Sequence, residues 1–257
     1  MGGTEPVAEN GRVIEMRVQR QDGPGTAPYW HTFRIPWKPQ HNVISALMEI
    51  RTNPTTVAGE RVPAPAYESS CLEEVCGSCA MIVNGTPRMA CTALVDKLTQ
   101  PITLEPMRKF PVQRDLIVNR SRMFEALKRV KAWIPIDGTY DLGPGPRMSP
   151  DLQQQRYALD RCITCGLCLD VCPQVSRDGG FMGAAIIGQA LLMNLHPTGA
   201  MNKDERLDAL MGPGGIADCG NAQNCVEVCP KEIPLTHAIG EIGRQTTGKW
   251  LRDMFRR

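Results

Sequence analysis

Eleven cysteines stand in this sequence, and their spacing divides them into groups that suit iron–sulfur chemistry. Cys71, Cys76 and Cys79 form C-x4-C-x2-C, and Cys91 follows further on. That is the spacing of plant-type [2Fe–2S] sites, in which two irons take two thiolates each. A short loop supplies three of the ligands and must wrap closely around a small anionic core. Gly77 and Ser78, between ligands, are expected to let backbone N–H groups approach the sulfurs, where hydrogen bonds stabilise the reduced form. The alternative is a zinc site or a set of buried thiols. Zinc sites use paired C-x2-C knuckles, which this loop does not match. The histidines, His31, His41, His196 and His237, are all remote from these cysteines, which speaks against a Rieske centre.

The second half carries an internal repeat. Cys162, Cys165, Cys168 and Cys172 sit at offsets 0, 3, 6 and 10, and Pro173 follows. Cys219, Ala222, Cys225 and Cys229 repeat those offsets, and Pro230 follows. The run C-x2-C-x2-C-x3-C-P is the bacterial ferredoxin pattern, whose fourth cysteine serves the other cluster. Three cysteines on one tight turn reach three corners of a cube, and the fourth, launched on the next helix, points toward a second cube. Cys162, Cys165, Cys168 and Cys229 are therefore the expected ligands of a [4Fe–4S] cluster. Cys172, Cys219 and Cys225 are the expected ligands of the other, which lacks a fourth thiolate because Ala222 cannot ligate. The expectation there is a [3Fe–4S] cluster, and the alternative is a [4Fe–4S] cluster with water or hydroxide at the open corner. These assignments use every cysteine.

The elements that must hold these loops are legible in outline. Val13 to Arg20 alternates apolar and polar residues, as does Trp30 to Ile35, with turn residues Asp22 to Gly25 between them. Asn42 is placed to cap a helix bearing Ile44, Leu47, Met48 and Arg51, which Asn53-Pro54 ends. Ala80 to Val83, Asn84-Gly85 and Thr86 to Ala90 read as a hairpin whose second strand leads to Cys91, and Ile102 to Leu104 as a further strand. Met123, Leu127 and Val130 recur at helical spacing. Asp137 to Pro150 is rich in glycine and proline and reads as an extended loop. Helices are expected over Leu152–Leu159, Ala184–Met193, Asp204–Met211 and Leu235–Ile242. The domain division is placed at 1–115 and 116–257.

Composition narrows the function classes. Over 257 residues the formal net charge is +2, which gives no electrostatic footprint for nucleic acid. Met1 to Asn10 lacks the basic start and apolar run of a secretory signal, and Pro6 stands where a myristoylation site needs Ser or Thr. The longest largely apolar stretch, Phe181 to Leu195, is too short to span a membrane and contains Gln189 and Asn194, so a membrane role would go through a partner. An odd cysteine count in a chain this long fits metal ligation better than a disulfide framework. Gly212 to Ala217 matches G-x-G-x-x-A but follows no strand pattern, so it reads as a turn. Gly243 to Lys249 matches G-x4-G-K, but Trp250 replaces the magnesium-holding hydroxyl, so it reads as a helix end or loop. Arg120, Arg122, Lys128, Arg129 and Lys131 read as a solvated basic face, or one able to dock an acidic partner. Arg244 to Arg257, basic with Trp250, Leu251, Met254 and Phe255 interspersed, reads as a terminal helix, with contact to a membrane subunit or anionic lipid as the sharper reading.

The order of these motifs resembles the iron–sulfur subunits of succinate dehydrogenase and fumarate reductase over nearly the whole chain. The stretches Asn42-Val43-Ile44-Ser45-Ala46-Leu47-Met48, Cys71-Leu72-Glu73-Glu74-Val75-Cys76-Gly77 and Trp133-Ile134-Pro135-Ile136-Asp137-Gly138-Thr139-Tyr140 resemble the branch that works with a dihaem cytochrome b and menaquinone. The resemblance implies an α+β chain: an N-terminal β-grasp [2Fe–2S] ferredoxin-like domain, then an all-helical ferredoxin domain carrying a [4Fe–4S] and a [3Fe–4S] cluster. It implies a peripheral subunit on the cytoplasmic side of the cell membrane, between a flavoprotein carrying FAD and a membrane-anchor cytochrome b carrying haem b. Electrons would pass from flavin through [2Fe–2S], [4Fe–4S] and [3Fe–4S] to haem and menaquinone. Ubiquinone-type relatives carry a Trp after the first C-P and a His beside the first cysteine of the second run. Arg177 and Gly220 stand there here, which fits electrons leaving through haem. Fumarate reduction by the same complex is the nearest alternative. A free-standing multi-cluster ferredoxin and a zinc-binding interaction protein are the others.

Overall fold

The computed structural model describes residues 11–135 and 146–255. The readings made on Met1 to Asn10, on 136–140 of the Trp133–Tyr140 stretch, on 137–145 of the glycine-proline loop and on Arg256 and Arg257 lie outside the described residues. The chain forms two compact units, Met1–Asn119 and Arg120–Arg257.

In the N-terminal unit, β1 (Val13–Arg20) and β2 (Tyr29–Pro36) pair antiparallel from Val13↔Pro36 to Arg20↔Tyr29. Alternation along β1 buries Ile14, Met16 and Val18 completely, and the fourth inward position is a buried charge, Arg20. Helix α1 (Val43–Thr52) starts at a reciprocal cap. Asn42 Oδ1 accepts from the Ser45 N–H and Ser45 Oγ accepts from the Asn42 N–H, both at 2.9 Å. Such a cap stabilises a helix by about 1 kcal/mol. Its core face is Val43, Ile44, Ala46, Leu47 and Ile50, while Met48 is exposed. Strands β3 (Ala80–Val83) and β4 (Thr86–Met89) form the expected hairpin. Asn84 and Gly85 both take positive φ, +49° and +78°, the backbone a two-residue turn needs to match strand twist. Strand β5 (Ile102–Glu105) lies in the middle, parallel to β1 and antiparallel to β3. The sheet order is β2–β1–β5–β3–β4. A separate ribbon, β6 (Val112–Arg114) with β7 (Ile117–Val118), is too short to leave a periodic signal, and the boundary placed at 115 falls in its turn.

The described residues of the C-terminal unit hold helices and no strand: α2 (Ser121–Arg129), α3 (Pro150–Asp160), α4 (Leu167–Asp170), α5 (Ala184–Leu195), α6 (Lys203–Met211), α7 (Asn224–Glu227) and α8 (Leu235–Phe255). The apolar run Phe181 to Leu195 supplies α5, the hub against which α2, α3, α4, α6 and α8 pack. Among the described residues no helix is long and apolar enough to cross a membrane. Helix α8 runs straight through Gly243 to Lys249, which corrects the expected helix end or loop. Each interior glycine costs roughly 1 kcal/mol relative to alanine. Burial of Ile242, Gln245, Thr246 and Lys249 along one face offsets that cost. The unit also has a fully buried cation. Arg206 donates to the carbonyls of Lys131, Gly199 and Trp133 and to Asn194 Oδ1.

Candidate metal centres

The first cysteine loop is folded by left-handed residues. Leu72, Glu74 and Gly77 have φ of +60°, +57° and +76°, so the chain curls back over its own sulfur. Cys71 Sγ accepts from the N–H groups of Glu73, Val75 and Cys76 at 3.4, 3.2 and 3.3 Å, and Cys76 Sγ accepts from the Ser78 N–H at 3.5 Å. Three of these donors differ from the anticipated Gly77 and Ser78. Positive φ at Leu72 and Glu74 leaves no mark in residue type, so the sequence hid them. Cys79 and Cys91 are the buried pair at the base of the loop. Cys91 sits in a 3₁₀ turn, Ala90–Thr92, directly after β4, and the Ala90 N–H donates to the Cys79 carbonyl at 3.1 Å. Thr92 Oγ1 donates to Glu74 Oε1 at 2.9 Å and ties the rim to that turn. Burial, with the neighbouring Cys79, pushes the Cys91 thiol up to about 12. Hydrogen bonding from Ser78 and then Cys71 pulls the exposed Cys76 thiol down to about 6.

The sequence repeat is also a repeat of backbone. At offset 2, Thr164 and Asn221 have φ of +51° and +52°; at offset 4, Gly166 and Gln223 have +91° and +64°. A single helical turn follows each, α4 and α7, at the same offsets. The Val171 and Val228 N–H groups donate to Leu167 and Asn224, and the Cys172 and Cys229 N–H groups donate to Leu169 and Val226, all at 3.1–3.2 Å. Helices α4 and α7 pack on each other, and this contact carries the last cysteine of each run to the other run's loop.

Two cavities result. One is lined by Cys162, Cys165, Cys168 and Cys229, with Ile163, Ala185, Ile233 and Leu235 as apolar wall, and holds about 360 Å³ of space including its mouth. The other is lined by Cys172, Cys219 and Cys225, with Ala222 presenting a methyl group, and holds about 400 Å³. Its rim bears Gln174, Asn221, Gln223 and Asn224. Among the described residues, no three His, Cys, Asp or Glu side chains gather closely enough for a single metal ion. The thiols instead surround a volume, as a polynuclear core requires, and an all-sulfur donor set suits iron–sulfur chemistry. Burial pushes the Cys165 thiol up to about 11 and the Cys168 thiol well above its ordinary value, with neighbouring sulfurs adding to both. Burial also raises Cys162 and Cys225. Such thiols are protonated when no metal is bound, so metal binding releases protons.

In the basic cluster around α2 the arginines are tied to backbone carbonyls, while Lys128 stays mostly exposed. Arg122 donates to the carbonyls of Ser176 and Gly179 at 2.7 and 3.0 Å, Arg129 to those of Ala209 and Pro213, and Arg120 to that of Cys165. Lys131 pairs with Glu205 and Lys128 with Glu125. These arginines strap α2 to the loops that carry the repeat. Carbonyl acceptors leave no trace in sequence, so the charges read as free. In the terminal stretch Lys249 pairs with Asp208 and Asp253, Arg252 with Asp204 and Arg244 with Glu241, while Trp250, Leu251, Met254 and Phe255 are exposed. Gly212 to Ala217 forms a turn, with the Gly215 N–H donating to the Gly212 carbonyl at 3.1 Å.

Comparison with known proteins shows the family. Residues 15–125 match the 2Fe-2S iron-sulfur cluster binding domain and residues 158–233 the 4Fe-4S dicluster domain. The chain is 57% identical over 244 residues to the succinate dehydrogenase iron-sulfur subunit of Bacillus subtilis, covering 95% of this chain and 96% of that one. It is 31% identical to the fumarate reductase iron-sulfur subunit of Haemophilus influenzae, covering 83% and 85%. Among solved structures it resembles a chain of the Mycobacterium smegmatis Sdh1 complex in the apo form, with a TM-score of 0.73 at 25% identity, covering 92% and 96%.

Proposed function

Because the chain belongs to the family of succinate dehydrogenase and fumarate reductase iron–sulfur subunits, we propose that its cysteines divide among three clusters as follows. Cys71, Cys76, Cys79 and Cys91 hold [2Fe–2S]. Cys162, Cys165, Cys168 and Cys229 hold [4Fe–4S]. Cys172, Cys219 and Cys225 hold [3Fe–4S]. The observation that carries this assignment is the pair of cavities, one lined by four thiols drawn from both runs and the other by three thiols and the Ala222 methyl group.

The chain is the electron-transfer subunit of a succinate dehydrogenase. Substrate chemistry belongs to a flavoprotein partner, and a membrane anchor is the other neighbour. The clusters supply one-electron carriage between these partners. This chain's own residues fold the loops, exclude water from Cys165 and Cys168, and direct N–H groups at Cys71 and Cys76. We assign FAD to the flavoprotein, haem b to a cytochrome b anchor, menaquinone as the acceptor reached through it, and the cytoplasmic face of the membrane as the location. Closer likeness to a succinate dehydrogenase subunit than to a fumarate reductase subunit supports succinate oxidation as the working direction.

Anaerobic purification with iron and sulfide analysis and electron paramagnetic resonance tests the assignment. About nine irons per chain are expected, with a paramagnetic three-iron centre in the oxidised protein. About ten irons without that oxidised signal would mean a four-iron core at Ala222, and an iron-free, zinc-containing protein would end the proposal.

A further inference from the structure

Each run of the repeat places one side chain against its cavity from the same offset. Twelve positions after the first cysteine, and two after the last, stand Gln174 and Lys231. Gln174 lines the cavity of Cys172, Cys219 and Cys225, and Lys231 lines that of Cys162, Cys165, Cys168 and Cys229. Neither side chain hydrogen-bonds or ion-pairs with another described residue. Gly220 belongs to the same arrangement. A Cβ there would lie 2.5 Å from Gln174 Nε2 and 3.2 Å from its Cδ, so the missing side chain makes the space that the amide occupies. The first run has Ile163 at that offset, part of the apolar wall of the other cavity.

We propose that the residue at this offset tunes the reduction potential of the core it faces. Lys231 raises the potential of the four-thiol site by its charge. Gln174, seated over Gly220, acts on the three-thiol site through its amide N–H donors alone. The inference rests on the ligand assignment above. Reduction brings in one electron, with no proton and no bond made or broken, so either core with its thiolates gains one negative charge. A cation or an N–H donor nearby stabilises that added charge and raises the potential. The two surroundings differ in how strongly they transmit such an effect. Ile163, Ala185, Ile233 and Leu235 wall the site at Lys231, where screening is weak. Residues 220–224 at the mouth of the other site are all exposed, so water attenuates a charge placed there. Removing the charge at 231 therefore has a larger effect than adding one at 174.

Redox titration of the whole complex, with dithionite as reductant and ferricyanide as oxidant, followed by paramagnetic resonance, reads this directly. K231Q is expected to disfavour reduction of the four-iron core about tenfold, about 59 mV downward for a one-electron couple, with the three-iron couple unmoved. K231R stays within about threefold of wild type, which separates charge from packing. Q174K favours reduction of the three-iron core, and G220A, which displaces the amide without changing any charge, disfavours it. A shift under about threefold in K231Q with the four-iron spectrum intact overturns the inference, as does a shift of the wrong sign in Q174K. Absence of the two spectra from the wild-type complex would sink the ligand assignment instead. If K231Q assembles no four-iron core, Q174K decides, because it leaves every residue of the other cavity in place.

Discussion

Arg20 and Asp115 form a two-pronged ion pair inside the N-terminal unit, Nε to Oδ1 at 2.9 Å and Nη2 to Oδ2 at 3.3 Å, with both side chains almost wholly buried. The Asp115 carboxylate also accepts from the N–H groups of Gln21 and Ala66, at 3.0 and 2.8 Å. Arg20 Nη1 faces His31 Nδ1 at 3.0 Å. One carboxylate thus joins the end of β1, the turn of the β6–β7 ribbon and the segment that leads into Cys71.

Asp115→Ala strips that junction and leaves a buried guanidinium without its partner. Loss of one member of a buried pair costs about 3–5 kcal/mol. The expected outcome is a lower unfolding midpoint with early loss of the [2Fe–2S] signal. An apolar pair, R20M/D115L, should recover most of the loss. Equal damage from the single and double replacements would disprove the role given to the pair.

Stability is expected to fall as pH drops below about 6.5. Desolvation lowers the pKa values of His31, His41 and His196, with a cationic arginine adding to the effect at His31 and His196. A folded-state value below the unfolded one means that the unfolded chain binds the extra proton first. Stability is therefore full above the unfolded value and is lost as pH falls from there through the folded values. At His196 the neutral ring also has structural work, since its Nδ1 accepts from the Thr198 and Gly199 N–H groups, both at 3.1 Å, and a proton there would end both bonds. Thermal midpoints at several pH values check this, and H196A should flatten the decline between about pH 6.5 and 5.5.

Ala222→Cys supplies the thiol that the second run lacks. The methyl group of Ala222 already lines the three-thiol cavity, at the offset where Cys165 lines the other. The oxidised three-iron resonance should disappear and iron content should rise by about one per chain. Retention of that resonance would show that the missing ligand does not set the cluster type.

Arg122→Ala and Lys128→Ala separate strap from surface. Arg122 gives charged hydrogen bonds to two carbonyls, Ser176 and Gly179, and such bonds contribute about 1.5–3 kcal/mol each. Lys128 and its partner Glu125 are both mostly exposed, a pair worth at most about 1 kcal/mol. Denaturant midpoints should drop clearly for R122A and hardly move for K128A, and limited proteolysis should open R122A near residues 176–180.

The sequence by itself determined what depends on residue type and local period. The spacing of Cys71, Cys76 and Cys79, the repeat with Ala222 at one corner, the alternation of β1, the Asn42 cap and the Asn84-Gly85 turn are all local, because side-chain chemistry and backbone preference act within a few residues. Tertiary structure alone decided which groups face one another across the chain. Positive φ at Leu72 and Glu74 aims amides at Cys71 Sγ without any glycine to announce it. Carbonyls of loops far along the chain turn an apparently free basic face into a strap. Burial against α5 and α6 carries α8 past its glycines. A carbonyl acceptor, a buried stripe or a cavity wall exists only after distant segments meet, and no residue type records it in advance.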